Sequence, residues 1–152
     1  MIIVGYQGIG KSTLAGKHNC IDLESGNFWI DGKRADDWYK PYCQIANHLS
    51  EQGYTVFTSS HEVVRKELEK SKEQVYIICP AIELKDEWIK KLKDRYESTG
   101  LEKDFKALAN AEDRYEENIL ELQNGNLPFY DILGMNYDLL GMIDMIKELH
   151  ND

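Results

Sequence analysis

The chain is short of three things, and each shortage argues against a class of function. It has only three cysteines in 152 residues, Cys20, Cys43 and Cys79, with no C-x-x-C pair. An odd, scattered set suits neither a disulfide framework nor a zinc site. Cys20 and Cys79 lie in apolar runs, where a thiol behaves as a small buried hydrophobe. Positive charge is also scarce: 18 lysines and arginines face 27 acids, for a net charge of −9. A general nucleic-acid binder needs a basic face, so no polymeric nucleic acid is expected as a partner, and any phosphate site must be a local positive pocket. Long apolar runs are missing as well. None approaches the length of a membrane span, and the opening MIIVGYQG has neither the basic start nor the apolar stretch of a secretion signal. The expectation is a reduced, cytoplasmic protein without a membrane partner.

What is present starts the chain. Gly5-Tyr6-Gln7-Gly8-Ile9-Gly10-Lys11-Ser12 follows a short apolar run, Met1 to Val4, and precedes Thr13-Leu14-Ala15, which reads as a helix start. This is G-x-x-x-x-G-K-[ST] in the setting it requires, strand then loop then helix. Glycines let the backbone turn tightly and approach an anion. Successive amides then point inward and cradle phosphate oxygens, helped by the dipole of the following helix. The nucleotide-binding set expected from this loop is Gly5, Gly8, Ile9, Gly10, Lys11, Ser12 and Thr13, with ATP and Mg²⁺ as cofactors. Lys11 would reach the β- and γ-phosphates, and the Ser12 hydroxyl would ligate Mg²⁺.

At 42% hydrophobic the chain can bury a real core, and its length suits one domain over residues 1–152. Apolar runs alternate with helical patterns, which predicts a parallel α/β sheet in a three-layer sandwich. Strands are expected at about 1–4, 20–23, 55–58, 75–79 and 129–133. Helices are expected from Lys11 to about Lys17, over Trp38 to Leu49, from a capping box at Ser59 and Glu62 to about Lys70, over 84–96 and 102–123, and from Tyr137 to His150. Between them lies an aromatic loop, 24–36, in which Phe28 and Trp29 are free to touch a ligand, whereas Trp38 and Tyr42 have core spacing.

Two familiar uses of such a loop are argued against by what is missing. A GTPase switch needs an N-K-x-D-type guanine reader, and none is present; the D-x-x-G matches at Asp131 and Asp138 fall too late and read as turn and helix-start chemistry. A large motor ATPase needs an acid at a strand end after the loop, but the third strand ends in Thr58-Ser59-Ser60-His61.

The loop is the tighter form G-x-x-G-x-G-K-[ST], with Gly8 as the extra glycine. It resembles the nucleoside monophosphate kinase-like group, which includes adenylate kinase, deoxynucleotide kinases, and gluconate and shikimate kinases. The resemblance is sharp at residues 5–13 and otherwise rests on the order of elements. The D-G-[FY]-P-R segment of adenylate kinases is absent, so the likeness is to the wider group. It implies a P-loop NTPase fold of about five parallel strands, an acceptor-binding region at about 24–51 and a helical lid at about 84–123.

Phosphoryl transfer needs two reactants in line and charge neutralised on the moving group. Lys91, Arg95 and Arg114 are the basic candidates from the lid region; Arg95 sits at a helix end beside the break Ser98-Thr99-Gly100. Asp22 ends the second strand, at the edge where ligands bind in open α/β sheets. The resemblance implies that an acid here orients or deprotonates the acceptor, or holds Mg²⁺ through water; as a turn, it would merely cap the chain. Arg65, and secondarily Arg34, offers a planar fork for an acceptor phosphate, or a surface ion pair. Glu24, Ser25, Ser59, Ser60 and His61 are lesser candidates. The catalytic set is thus Lys11, Asp22, Arg65 and Arg95, with Ser12 and Asp22 at the metal. The expected activity is ATP-dependent phosphorylation of a (deoxy)nucleoside monophosphate. The alternatives are a kinase for a hydroxyl acceptor, such as a nucleoside or sugar acid, and a nucleotide-dependent regulatory module.

Overall fold

The computed structural model describes residues 1–150. Its frame is five parallel strands: β1 (Ile2–Gly5), β2 (Cys20–Asp22), β3 (Thr55–Thr58), β4 (Val75–Pro80) and β5 (Phe129–Ile132), in the order β2-β3-β1-β4-β5. The register pairs Ile3 with Phe57 on one side and with Tyr76 on the other. β1, β3 and β4 are buried at every position, because helices cover both faces of the sheet. That is why these strands read as unbroken apolar runs.

The helices are α1 (Lys11–Leu14), α2 (Tyr39–Glu51), α3 (Glu62–Leu68), α4 (Lys85–Thr99), α5 (Glu102–Gln123) and α6 (Leu139–His150). Two boundaries differ from expectation. α1 stops at Leu14 rather than near Lys17, since Gly16, His18 and Asn19 all take positive φ. Glycine and asparagine are the residues that visit that region most readily, and three such residues cannot continue a helix. Nor do Ser59 and Glu62 form a capping box. His61 is the residue that opens α3, with no side-chain cap. The Ser59 hydroxyl lies 2.7 Å from His61 Nδ1 instead.

α4 and α5 form an antiparallel hairpin. Gly100 ends α4 in the left-handed region at φ 65°, its amide donating to the Tyr96 carbonyl. The root of the hairpin is core: Trp88, Leu92, Ala111, Tyr115, Ile119 and Leu122 are buried, and the Tyr115 hydroxyl donates to Ala81 at 2.7 Å. Its tip, Ser98 to Lys103, is exposed. Among the described residues no helix is long and apolar enough to cross a membrane.

Candidate active-site cleft

Because all strands run parallel, the loops leaving β1, β2 and β3 open at one edge of the sheet. The hairpin of α4 and α5 forms the facing wall. Between them lies a cleft of about 510 Å³.

The loop after β1 is shaped by Gly8 and Gly10, at φ 88° and 112°. Its back is fastened from three directions. Trp88, fully buried on α4, donates its indole N–H to the Gln7 carbonyl at 2.8 Å. The Tyr137 hydroxyl donates to the Ile9 carbonyl at 2.7 Å and accepts from the Lys91 ammonium at 2.6 Å. Ile9 is buried, and its Cδ1 would lie 2.7 Å from a Cβ on Gly5. The loop's carbonyls are therefore engaged behind it. Among the described residues, the amides of Gly8, Gly10, Lys11 and Ser12 donate to no backbone carbonyl. That leaves a set of donors suited to an anion.

Lys11 arches back over this loop, with its ammonium 3.2 Å from the Gly5 carbonyl. Burial lowers its pKa, while Asp22 and Glu24 pull the other way. Burial likewise raises the Asp22 carboxyl above its ordinary value, and Lys11 opposes that rise. Among the described residues no carboxylate forms an ion pair with Lys11; Asp22 and Glu24 act on it from a distance.

Tyr42 on α2 sets the opposite rim. Its hydroxyl donates to the Leu23 carbonyl at 2.6 Å and accepts the Ser59 amide at 2.9 Å, tying the ends of β2 and β3 together. Asp22, Glu24 and Ser25 thereby share the cleft wall with Ser59, Ser60 and His61. Arg65, one turn into α3, is buried; its Nε donates to the Ser60 carbonyl at 2.9 Å and its fork meets Glu121 at 3.4 Å.

The hairpin supplies Arg95, Lys103 and Arg114 to the same cleft. Arg95 Nε is 3.1 Å from Asp104, which is itself buried and takes a hydrogen bond from Thr99. Lys103 reaches Glu24 across the mouth at 3.6 Å. Arg114 pairs with Glu117 at 3.1 Å. Among the described residues Arg65 and Asp104 are the only buried charged side chains, and both line the cleft.

The structure thus brings Lys11, Ser12, Asp22, Arg65, Arg95 and Arg114 into one cavity. Gly10 and Thr13 instead face a smaller space of about 220 Å³ beside the loop, shared with Lys91 and Arg95. Two expectations need correction. Arg34 does not line the cleft: its guanidinium lies over the Trp38 and Trp29 rings, at 3.9 and 4.8 Å. Phe28 is not free either, since its ring packs edge-on against Tyr42 at 5.4 Å. An apolar loop residue beside two core aromatics finds burial there. Trp29 is exposed.

Several lining residues were not legible in the sequence, among them Lys103, Asp104 and Glu121, and also Tyr6, Asn110 and Asn118. All line the cleft, and the Tyr6 hydroxyl is buried without a hydrogen-bond partner. No group of three or more His, Cys, Asp or Glu side chains suited to a metal occurs among the described residues. Compared with known proteins, the chain matches no family model and no curated protein.

Proposed function

We propose that the cleft binds ATP through the loop of residues 5–13 and transfers the γ-phosphoryl group to a small acceptor, a (deoxy)nucleoside monophosphate. One observation carries this reading. Residues chosen from separate stretches of sequence for one reaction, Lys11, Asp22, Arg65, Arg95 and Arg114, all line one cavity at the carboxyl edge of the sheet.

The free amides of the loop hold the phosphates, and Lys11 exchanges the Gly5 carbonyl for a phosphate oxygen. Arg95 and Arg114, from the facing wall, neutralise charge on the group in transfer. Arg65, fixed by Ser60, presents its remaining donors to the acceptor phosphate. Mg²⁺ would be held by Ser12 and, through water, by Asp22, and it would neutralise charge on the phosphates. These oxygen donors suit a hard cation that takes most of its shell from phosphates and water.

The same chemistry with a hydroxyl acceptor is the second reading. The raised pKa of Asp22 favours it, because a carboxyl of raised pKa is the better base for a hydroxyl proton.

The test is ADP release from ATP and Mg²⁺ with a panel of ribo- and deoxynucleoside monophosphates, nucleosides and sugar acids, beside Lys11→Ala. Release that needs a monophosphate and disappears in Lys11→Ala supports the proposal. Release with a hydroxyl acceptor alone replaces it with the second reading. ATP binding that no acceptor converts into turnover overturns both and favours a regulatory module.

A further inference from the structure

α5 is helical throughout except at Arg114, where φ is −136° and ψ is 24°. Interior kinks have causes, usually proline, glycine or an inserted group. This helix contains neither proline nor glycine. Asn110 and Asn118 flank the kink, and the Asn118 amide donates to Asn110 Oδ1. Eight residues along a straight helix rise about 12 Å. Two short amide side chains do not span that distance, so their contact depends on the bend. Both residues line the cleft, as does Arg114 between them.

This pairing leaves free groups. One amide uses an N–H and the other its carbonyl, so an N–H of Asn110 and the carbonyl of Asn118 remain, a donor and an acceptor side by side. Next to them lies the Tyr6 hydroxyl. Tyr6 is 2% exposed; its hydroxyl stands against the Asn118 side chain but makes no hydrogen bond of acceptable geometry there. A buried phenol without a partner is costly, and it is rare where nothing else binds. The neighbouring cleft wall is apolar, formed by Leu92, Ala107 and Leu122. A ligand that fits here has apolar faces and a polar edge carrying adjacent donor and acceptor. That describes a nucleobase. A polyol has no such faces.

We propose that Asn110 and Asn118, with Tyr6 beneath them, read the hydrogen-bonding edge of the acceptor's base, and that the kink at Arg114 exists to bring the two amides together. This inference rests on the monophosphate reading of the cleft. It predicts that the enzyme selects its acceptor by base, and that α5 carries the selection.

The experiment measures kcat/KM across nucleoside monophosphates of different base for the wild type, Asn110→Ala, Asn118→Ala and Asn118→Asp. The wild type is expected to prefer one base. Each alanine variant should lose about 10- to 100-fold on that acceptor, flattening the preference, with KM for ATP unchanged. Asn110 is exposed, so its substitution does not threaten folding. Asn118→Asp keeps shape but removes the N–H given to Asn110; pairing then requires the Asn110 amide to turn and donate to the carboxylate, which leaves two acceptors facing the base, so the preference should shift towards a different base rather than flatten. Alanine variants that keep the wild-type ranking of bases overturn the inference, as does a wild type indifferent to base. Failure of the monophosphate reading looks different: the wild type itself then turns over with no monophosphate, before any variant is made.

Discussion

Leu92 occupies the space that a side chain on Gly8 would need. A Cβ on Gly8 would lie 2.9 Å from Leu92 Cδ2 and 3.3 Å from Trp88 Nε1. Gly8 also sits at φ 88°. The glycine is therefore required twice, by backbone conformation and by the approach of α4. Gly8→Ala should cost about 1–2 kcal/mol from conformation alone, more with the clash, and should weaken binding of an ATP analogue. Adding Leu92→Ala should relieve the clash but leave the conformational strain, and truncating this buried leucine costs about 2–5 kcal/mol of its own; binding should recover in part while stability falls further. Thermal melts and titration calorimetry check both arms; full recovery of binding in the double variant would mean that φ is not limiting.

At Asp22 stability and the proposed function pull in opposite directions. Burial raises its pKa above 3.8 even with Lys11 opposing. The folded protein therefore binds this proton more tightly than the unfolded chain does. Its contribution to stability is present below 3.8 and is lost as pH rises through the folded value, so at pH 7 the ionised carboxylate is a burden. Asp22→Asn should raise Tm at pH 7, lose that advantage in acid, and lower the rate of phosphoryl transfer. Melts at both pH values beside a turnover assay check it; a lower Tm at pH 7 would contradict the argument.

Arg65 and Arg114 line one cleft but should fail differently. Arg65 is buried and satisfies the Ser60 carbonyl. Arg65→Ala should cost about 1–3 kcal/mol as well as activity, because it orphans that carbonyl. Arg114 is exposed and pairs with a carboxylate one turn away, an arrangement worth at most about 1 kcal/mol. Arg114→Ala should leave the denaturant midpoint nearly unchanged and lower kcat by about 10²-fold. Urea unfolding and steady-state kinetics on both variants separate the roles.

These contrasts mark what the sequence could and could not tell. Strands β1, β3 and β4 were readable because both of their faces are buried, and the turn at Ser98-Thr99-Gly100 because it carries a glycine. Asp22 and Arg65 are legible because Asp22 ends β2 and Arg65 lies in the first turn of the helix after β3, at the edge where open α/β sheets gather ligands. α1 ends earlier than its sequence suggests: Gly16 and Asn19 are consistent with a left-handed turn, but His18 between them gives no signal of its own. Arg34 differs from expectation because nothing local in the sequence says whether a guanidinium will meet phosphate or indole. The fastening of the loop by Trp88 and Tyr137 spans 81 and 128 positions. Contacts of that range belong to tertiary packing. Asn110 and Asn118 were hidden for a related reason: their contact needs a bend that no proline or glycine announces.

His61 provides the pH dependence of opposite sign to Asp22. Its ring stands edge-on to Trp38 at 5.3 Å and beside the Ser59 hydroxyl. The residue is exposed, but packing beside Trp38 costs its charged form part of its hydration; that first, then the charges of Arg34 and Lys11, lowers the imidazole below its ordinary 6.5. The unfolded chain therefore takes up this proton at a higher pH than the folded one. Stability is fully present above 6.5 and is lost as pH falls from there towards the lower folded value. His61→Gln removes the titration, so its Tm should vary less than that of the wild type as pH falls through that window, and the two curves should run parallel above it. The difference between the curves isolates His61 from the carboxylates, which both proteins share. Saturating ATP should shrink that difference, because phosphates beside Lys11 offset the positive field that keeps the ring neutral. Melting curves with and without the nucleotide measure this; a difference unchanged by ATP would place the phosphates away from His61.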